Sequence, residues 1–360
     1  MTEAAGSPVL RAALIGYGLA GSVFHAPLIR ATEGLRVATV VTGNPERQAQ
    51  ATAENPGVRI LSGPEGLWER AEDHDVVVIA APTGAHTALG RAAIEAGLAV
   101  VIDKPLAART AEARELSRLA AVRGTLLTVF HNRRWDGDLL TLQALIAAGE
   151  LGDVFRFESR FERFRAEPRP GAWREETPAD QGGGIVLDLG SHIVDQAVHL
   201  FGRPSRVYAE VGARRPGATV DDDMFIALTQ QDGVISHLWA SAVAAAPGPR
   251  LRALGLEGGY SKDGLDIQEE ALRSGADPRR PGWSDEPPDR WGTLTTRVGP
   301  RTVATQAGAW TRFYEELVSA VRDGGPPPVS ADSAVEVLEV LDCARESART
   351  GAVVEFPAPG

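Results

Sequence analysis

Apolar positions follow two different rhythms along this 360-residue chain. From Val9 a short apolar run reaches Gly16, glycines follow, an apolar helical stretch continues through Ile29, and a second apolar run spans Leu35 to Val41. That succession predicts strand, turn, helix and strand. The unit returns downstream: Asp75 to Ala80 as a strand, Ala85 to Ala96 as a helix, Ala99 to Ile102 as a strand, Ala111 to Val122 as a helix, and Thr125 to Phe130 as a strand. Strands that are apolar along their whole length have no wet face, so they predict a parallel sheet with helices on both sides.

After Phe130 the rhythm changes. Leu139 to Ala148 is an amphipathic helix closed by Gly149, and Val154 to Phe164 then alternates Phe155, Phe157, Ser159 and Phe161 with Arg156, Glu158, Arg160 and Glu162. Period two buries one face and wets the other, which is the pattern of an antiparallel strand. Arg206 to Val211, Met224 to Thr229 and Val234 to Ala240 repeat it. The expected architecture is α/β throughout: a parallel-sheet domain over residues 1–130, then an α/β domain with an open, mostly antiparallel sheet over residues 131–360. Arg273 to Arg290, dense in Pro, Gly and charge, reads as a surface excursion. Val335, Leu338, Val340 and Leu341 recur at helical spacing and read as core.

Composition narrows the functional classes. A chain with 43% hydrophobic and 24% charged residues has the make-up of a folded protein, with length for two cores. Its formal net charge of −11 argues against DNA or RNA as partner, because phosphate neutralisation by Lys and Arg supplies most of that affinity. Cys343, the single cysteine, can form no intramolecular disulfide and reads as buried and inert; with no cysteine cluster, no structural metal is expected. The start, Met1 to Pro8, has no basic cluster, and the apolar run after it is broken by glycines, so no export signal, anchor or membrane span is expected and the cytoplasm is the expected compartment.

Gly16-Tyr17-Gly18-Leu19-Ala20-Gly21 is a GxGxxG turn between an apolar strand and a helix, the context that gives this pattern meaning. Gly16 permits the tight turn, Gly18 leaves bare backbone for a pyrophosphate, and Gly21 lets helix and strand approach. The helix-start amides around Leu19 and Ala20 then face the phosphates. A Rossmann domain binding a nicotinamide dinucleotide is the reading. The second strand ends Val40-Val41-Thr42-Gly43-Asn44, without the acid that would accept from a ribose 2′-hydroxyl and repel a 2′-phosphate. Thr42 and Asn44 can donate, and Arg47 can pair with a phosphate, so NADP is favoured over NAD. Glu46, able to reach the ribose, keeps NAD open, and Arg47 as a solvated helix-start residue is the plain alternative.

Asp103-Lys104-Pro105 follows the strand ending at Ile102, and ligands of open parallel sheets sit beyond the carboxyl ends of strands. Lys104 there could stabilise an alkoxide that develops as a hydride leaves. The competing reading is an exposed strand-end lysine. Gly182-Gly183-Gly184 precede a helix carrying Asp188, His192 and Asp195, the first two one turn apart. A carboxylate could there orient an imidazole and stabilise its charged form, while the glycines suit close backbone approach to a ligand. A capping acid with a surface histidine is the plain alternative.

Together these residues resemble the glucose-fructose oxidoreductase, inositol dehydrogenase and rhizopine catabolism family (Gfo/Idh/MocA). The likeness is carried by GYGLAG with FHAPLI, APTGAH, IDKP, FHNRRWDGD and GGGIVLDLGSHIVDQAVHLFG, in order over nearly the whole chain. It is strongest toward a bacterial branch containing NADP-dependent scyllo-inositol dehydrogenases. The resemblance implies Lys104, Asp188 and His192 as catalytic and substrate-binding residues: His192 exchanges the hydroxyl proton, Asp188 positions substrate and imidazole, and Lys104 holds the hydroxyl near the nicotinamide. It further implies Pro82, Thr83, His86 and Asp103 near the cofactor, with Asp103 in place of the family's longer glutamate, and Asn132, Arg133 and Trp135 near the substrate. Arg133 could equally pin the domains together. His25 and His199 read as structural. The implied activity is hydride transfer between NADP (NAD possible) and a C–OH group of a polyol, inositol or sugar, in a homo-oligomer, dimer or tetramer, built through the C-terminal sheet. An NAD-linked aldose or dihydrodiol dehydrogenase and a non-catalytic dinucleotide sensor are the alternatives.

Overall fold

The computed structural model describes residues 8–357, so the reading of Met1 to Ser7 as free of an export signal lies outside the described residues. Six strands form the first sheet: β1 (Leu10–Ile15), β2 (Leu35–Val41), β3 (Arg59–Leu61), β4 (Val76–Ile79), β5 (Ala99–Asp103) and β6 (Leu127–Phe130). All its pairings are parallel, in the order β3-β2-β1-β4-β5-β6. Strand order reverses between β1 and β4, which opens a crevice at their carboxyl ends. β4 is fully buried, as helices over both faces require. Sequence pattern alone did not reveal β3, whose Arg-Ile-Leu is too short and too exposed to show a rhythm.

The second sheet holds β7 (Val154–Glu162), β8 (Pro204–Gly212), β9 (Asp223–Gln230), β10 (Ile235–Ser241), β11 (Leu251–Gly255), β12 (Gly258–Lys262), β13 (Gly292–Thr296), β14 (Gly299–Val303) and β15 (Val354–Glu355). It is antiparallel except for the pair β7–β10. One face packs on helices, with Phe157 and Phe161 against the core. Phe155, of the same parity, instead lies 43% exposed near the strand's start. The other face is open and mixed: Phe225 lies 5.1 Å from Trp239 between ring centres, and the Arg160 guanidinium sits 3.8 Å over Trp239 while pairing with Glu158 at 2.9 Å.

The two sheets are tied together by the C-terminal helices, which pack on the first domain. From Ala331–Thr350, Asp342 accepts from the Thr110 hydroxyl at 2.5 Å and Glu339 from Arg114 at 2.8 Å. From Thr311–Asp323, Tyr314 reaches the buried His25. The Arg273 to Arg290 excursion is anchored rather than loose. Glu286 within it accepts from Lys262 at 2.8 Å, and both side chains are buried. Among the described residues, no helix is long and apolar enough to cross a membrane.

Candidate active site

The glycine turn sits at the crevice. Gly16 has φ +94°, open to glycine at little cost, and a Cβ there would lie 2.6 Å from the Ala80 carbonyl oxygen across the strand-order switch. A Cβ on Gly21 would lie 2.0 Å from the Gly16 carbonyl oxygen, so only glycine lets the helix start this close to β1. Gly18 differs. A Cβ there would meet only the Arg47 guanidinium, at 3.6 Å, so this backbone faces open space with a cation poised over it. Leu19 beside it is 46% exposed, and Ala20 opens the wide turn Ala20–His25 that leads into the helix Ala26–Ala31. Beneath the turn, Tyr17 donates to Glu54 at 2.7 Å and accepts from Asn55, which fixes the loop from below.

Past β2, Asn44 is the N-cap of the helix Pro45–Glu54, its side-chain oxygen accepting from the Arg47 N–H at 3.0 Å. Its carbonyl is thus engaged with the helix. Thr42 is buried, while Glu46 and Arg47 are exposed.

After β4, Pro82 is exposed at the mouth of the crevice. Thr83 is buried, packed against Gly182 so closely that a Cβ on that glycine would lie 2.6 Å from its side chain. His86 is also buried, its ring held between the carbonyl oxygens of Pro105 and Ala81 at 2.9 Å each, and burial pushes its pKa down. Thr83 and His86 thus help hold the loops around the crevice in shape. Asp103 at the end of β5 accepts from the Lys104 N–H at 2.9 Å. Behind it, His25 is bonded to the Tyr314 hydroxyl at 2.6 Å with its other nitrogen 3.9 Å from Asp103. Burial holds this imidazole at about 4, uncharged at neutral pH.

Lys104 reaches across to the second domain. Its ammonium donates to the Asp188 carboxylate at 2.9 Å and to the Asp188 carbonyl at 2.6 Å. An ammonium has three donors, so one remains. Asp188 lies in a widened turn, Val186–Gly190, that runs straight into the helix Ser191–Phe201. Burial pushes its carboxyl up, but Lys104 and Arg174, the latter at 3.0 Å, outweigh that and hold it down at about 2. His192 is buried under the edge of Phe161, 6.0 Å between ring centres. Burial, then the positive charges of Lys104, Arg133 and Arg250, push its pKa well below the ordinary imidazole range.

This corrects the expected Asp188–His192 pairing: His192 Nδ1 has no partner, while the Asp188 carboxylate turns to Lys104 and Arg174. Two cations reached the acid first, and the imidazole is left neutral and surrounded by positive charge. The glycines before the helix are pressed closely against the protein itself. A Cβ on Gly183 would sit 1.7 Å from the Thr177 carbonyl oxygen, and one on Gly184 2.4 Å from the Asp221 carboxylate.

Of the junction residues, Trp135 is buried in the core, edge-on to Phe313 at 5.8 Å. Arg133 is held by Glu269 at 2.6 Å and Asp136 at 3.4 Å, stacked near Phe161, so it acts on His192 through charge. Asn132 is buried beside it. Asp195 is taken by Arg134 in a two-pronged pair at 2.6 and 3.0 Å. His199 lies near Gln143, 3.1 Å from its amide. Sequence reasoning missed Arg174 and His131. Arg174 lies in the helix Trp173–Glu176, four residues and too short to show a rhythm, and His131 follows β6 as one polar residue among several.

A dinucleotide crevice whose far wall brings a lysine, an aspartate and a neutral histidine from two domains together defines an oxidoreductase with a nucleotide cofactor. Residues 10–131 match the family model described as "Oxidoreductase family, NAD-binding Rossmann fold", and residues 143–356 match "Oxidoreductase family, C-terminal alpha/beta domain". The chain belongs to the Gfo/Idh/MocA oxidoreductase family. It is 39% identical over 345 residues to the oxidoreductase YdgJ of Escherichia coli, covering 94% of this chain and 96% of that one. It is 34% identical over 347 residues to the scyllo-inositol 2-dehydrogenase (NADP(+)) IolW of Bacillus subtilis, covering 94% of each. The solved structure of the oxidoreductase yvaA from Bacillus subtilis superposes with a TM-score of 0.91 at 32% identity, over 97% of this chain and 99% of that one.

Proposed function

We propose that this protein is an NADP-preferring dehydrogenase or reductase that interconverts C–OH and C=O on a polyol, inositol or sugar. The observation that carries it is the Lys104–Asp188 pair at 2.9 Å, drawn from two domains, beside the neutral His192. The dinucleotide, when bound, supplies the nicotinamide carbon that takes or gives the hydride. The bare Gly18 backbone under Arg47 suits its phosphates, and an exposed guanidinium close to the turn supports a 2′-phosphate as its partner. In the oxidation direction, the free donor of Lys104 holds the substrate oxygen and stabilises its developing negative charge. His192, uncharged, accepts the hydroxyl proton. Asp188 keeps the ammonium aimed.

The name of the Bacillus subtilis relative supports both the cofactor and the substrate class. Steady-state rates across polyols, inositol isomers and aldoses with NADP and with NAD test the reading. A preference for NAD removes the Arg47 assignment, and no turnover of any of them removes the substrate class. Because the His192 pKa is depressed, oxidation is expected to hold steady as pH falls through the ordinary imidazole range and to fail only below it, as the base becomes protonated.

The same reading places the chain in the cytoplasm and makes the open sheet face, with Phe225, Trp239 and Arg160, a self-association surface. Light scattering that returns a monomer would remove that last part.

A further inference from the structure

Arg250 is a buried arginine of the second domain with little charge to answer it. It immediately precedes β11, and its guanidinium bridges β7 and the helix Ser191–Phe201. Nη1 donates to the Ser159 hydroxyl at 2.6 Å and Nη2 to the Gln196 side-chain oxygen at 3.0 Å. Gln196 lies one helical turn beyond His192, and its own amide donates to the Arg133 carbonyl at 3.1 Å. Arg250 and Gln196 thus pin the His192 turn of the helix to β7 and to the segment after β6. The same guanidinium lies 4.3 Å from the centre of the Phe161 ring, with Arg133 at 5.0 Å, and it is Phe161 that packs at 63° against the His192 imidazole.

The charge of Arg250 is poorly matched. Among the described residues its one carboxylate neighbour in ion-pair range is Asp138, 3.4 Å from Nε, and that approach is not a hydrogen bond: Nε and the Asp138 Oδ2 are both buried without a hydrogen-bond partner. Arg134, by contrast, makes a two-pronged pair with Asp195. A buried ion pair can often be replaced by apolar packing with no loss of stability, so folding alone does not account for Arg250. A cation kept from water in this way is felt by the groups that share its layer.

Around His192 the ionisable groups come from several elements. Lys104 after β5 and Arg133 after β6 are cations. Asp188 is shared by Lys104 and Arg174, and Asp195 is taken by Arg134. Glu269 and Asp136 face Arg133, and Asp138 faces Arg250. His131 is held by burial at about 4, uncharged at neutral pH. We propose that Arg250 is a positioning residue for the proton step, a fixed cation over Phe161 and one turn along the helix that orients His192 and keeps it an uncharged acceptor. The inference rests on the proposed dehydrogenase activity and adds a residue to it. Burial lowers the His192 pKa first, and Lys104, Arg133 and Arg250 add to that. Without the charge of Arg250 the imidazole takes up its proton at a higher pH, and the base is lost there.

The test follows kcat/KM for oxidation of a polyol that the protein turns over, from about pH 8 to about pH 5, in the full chain and in Arg250→Met, Arg250→Gln and Arg250→Lys. The unaltered protein should stay within about twofold across that range, while the two neutral variants lose about threefold or more between its ends, with dinucleotide affinity within about twofold of normal. Arg250→Lys, which restores the charge without the planar fork, should return the flat profile at a lower rate. In parallel, the His192 ring resonance, identified by its loss in His192→Asn, should titrate at a higher pH in the neutral variants than in the unaltered protein. Arg250→Gln keeps a polar side chain for Ser159 and is the variant to read where the methionine fails to fold. A loss equal at every pH makes Arg250 a packing residue and overturns the proposal, as does a lysine variant that behaves like the neutral pair. A His192 resonance titrating in the ordinary imidazole range in the unaltered protein overturns it without any variant. Absence of turnover on every polyol, inositol and sugar, with the resonance still answering to Arg250, sinks the dehydrogenase reading and leaves the hold of Arg250 on His192 standing.

Discussion

The glycines at 16, 18 and 21 and those at 182 to 184 have the same backbone freedom and use it in opposite ways. In the first cluster, Gly16 and Gly21 let the turn close on itself, and Gly18 is left facing nothing but a flexible guanidinium at 3.6 Å. In the second, each glycine is pressed against the protein: Gly182 on Thr83, Gly183 on the Thr177 backbone, Gly184 on Asp221. One cluster keeps a backbone surface open for a ligand. The other packs the loop before Val186–Gly190 tightly, Gly182 against the first domain and Gly183 and Gly184 within the second, where Asp188 meets Lys104. A glycine reports that something comes close, not what it is.

If the clusters divide the work in this way, their variants should separate it too. The largest effect is expected at the residues the second cluster delivers and faces. Lys104→Met or His192→Ala should lower turnover by about 10³-fold while leaving dinucleotide affinity, measured by fluorescence titration, near normal. Near-normal turnover in either would place the proton path elsewhere. Next comes Gly183→Ala, which drives a methyl into backbone and should cost about 3 kcal/mol in denaturant unfolding. The smallest effect, and of opposite sign for stability, is at Gly18→Ala. That position has no positive φ and meets no rigid neighbour, so the variant should gain about 0.5 kcal/mol of stability. The same methyl should weaken dinucleotide binding about tenfold by intruding where phosphate would approach. A Gly18→Ala protein that binds as well as before would mean that the cofactor does not cross this turn.

Much of the fold was legible in the chain. The expected strand from Leu35 to Val41 coincides with β2, and Ala111 to Val122 falls within the helix Thr110–Arg123. Fully buried strands and amphipathic helices carry a strong local pattern. The edge strand β14 and its neighbour β13 were not seen, because Gly292–Thr296 and Gly299–Val303 are mostly Gly, Thr and charge and hold their place through pairing with neighbours. Trp135 and Arg133 were expected at the substrate because they sit beside a family motif. The structure turns one into the core and ties the other to Glu269, a residue far along the chain.

What the order of residues determined by itself was local: where strand gives way to helix, that the first turn is glycine-lined, and that the second strand ends without an acid. These follow from side-chain period and backbone sterics, which act over a few neighbours. Only the folded chain decided which charges meet. Asp188 answers Lys104 and Arg174 rather than His192, and Arg163 and Arg165 are left without a carboxylate. Electrostatic pairing depends on distance in space and on burial, and both are set by how the two sheets are brought together.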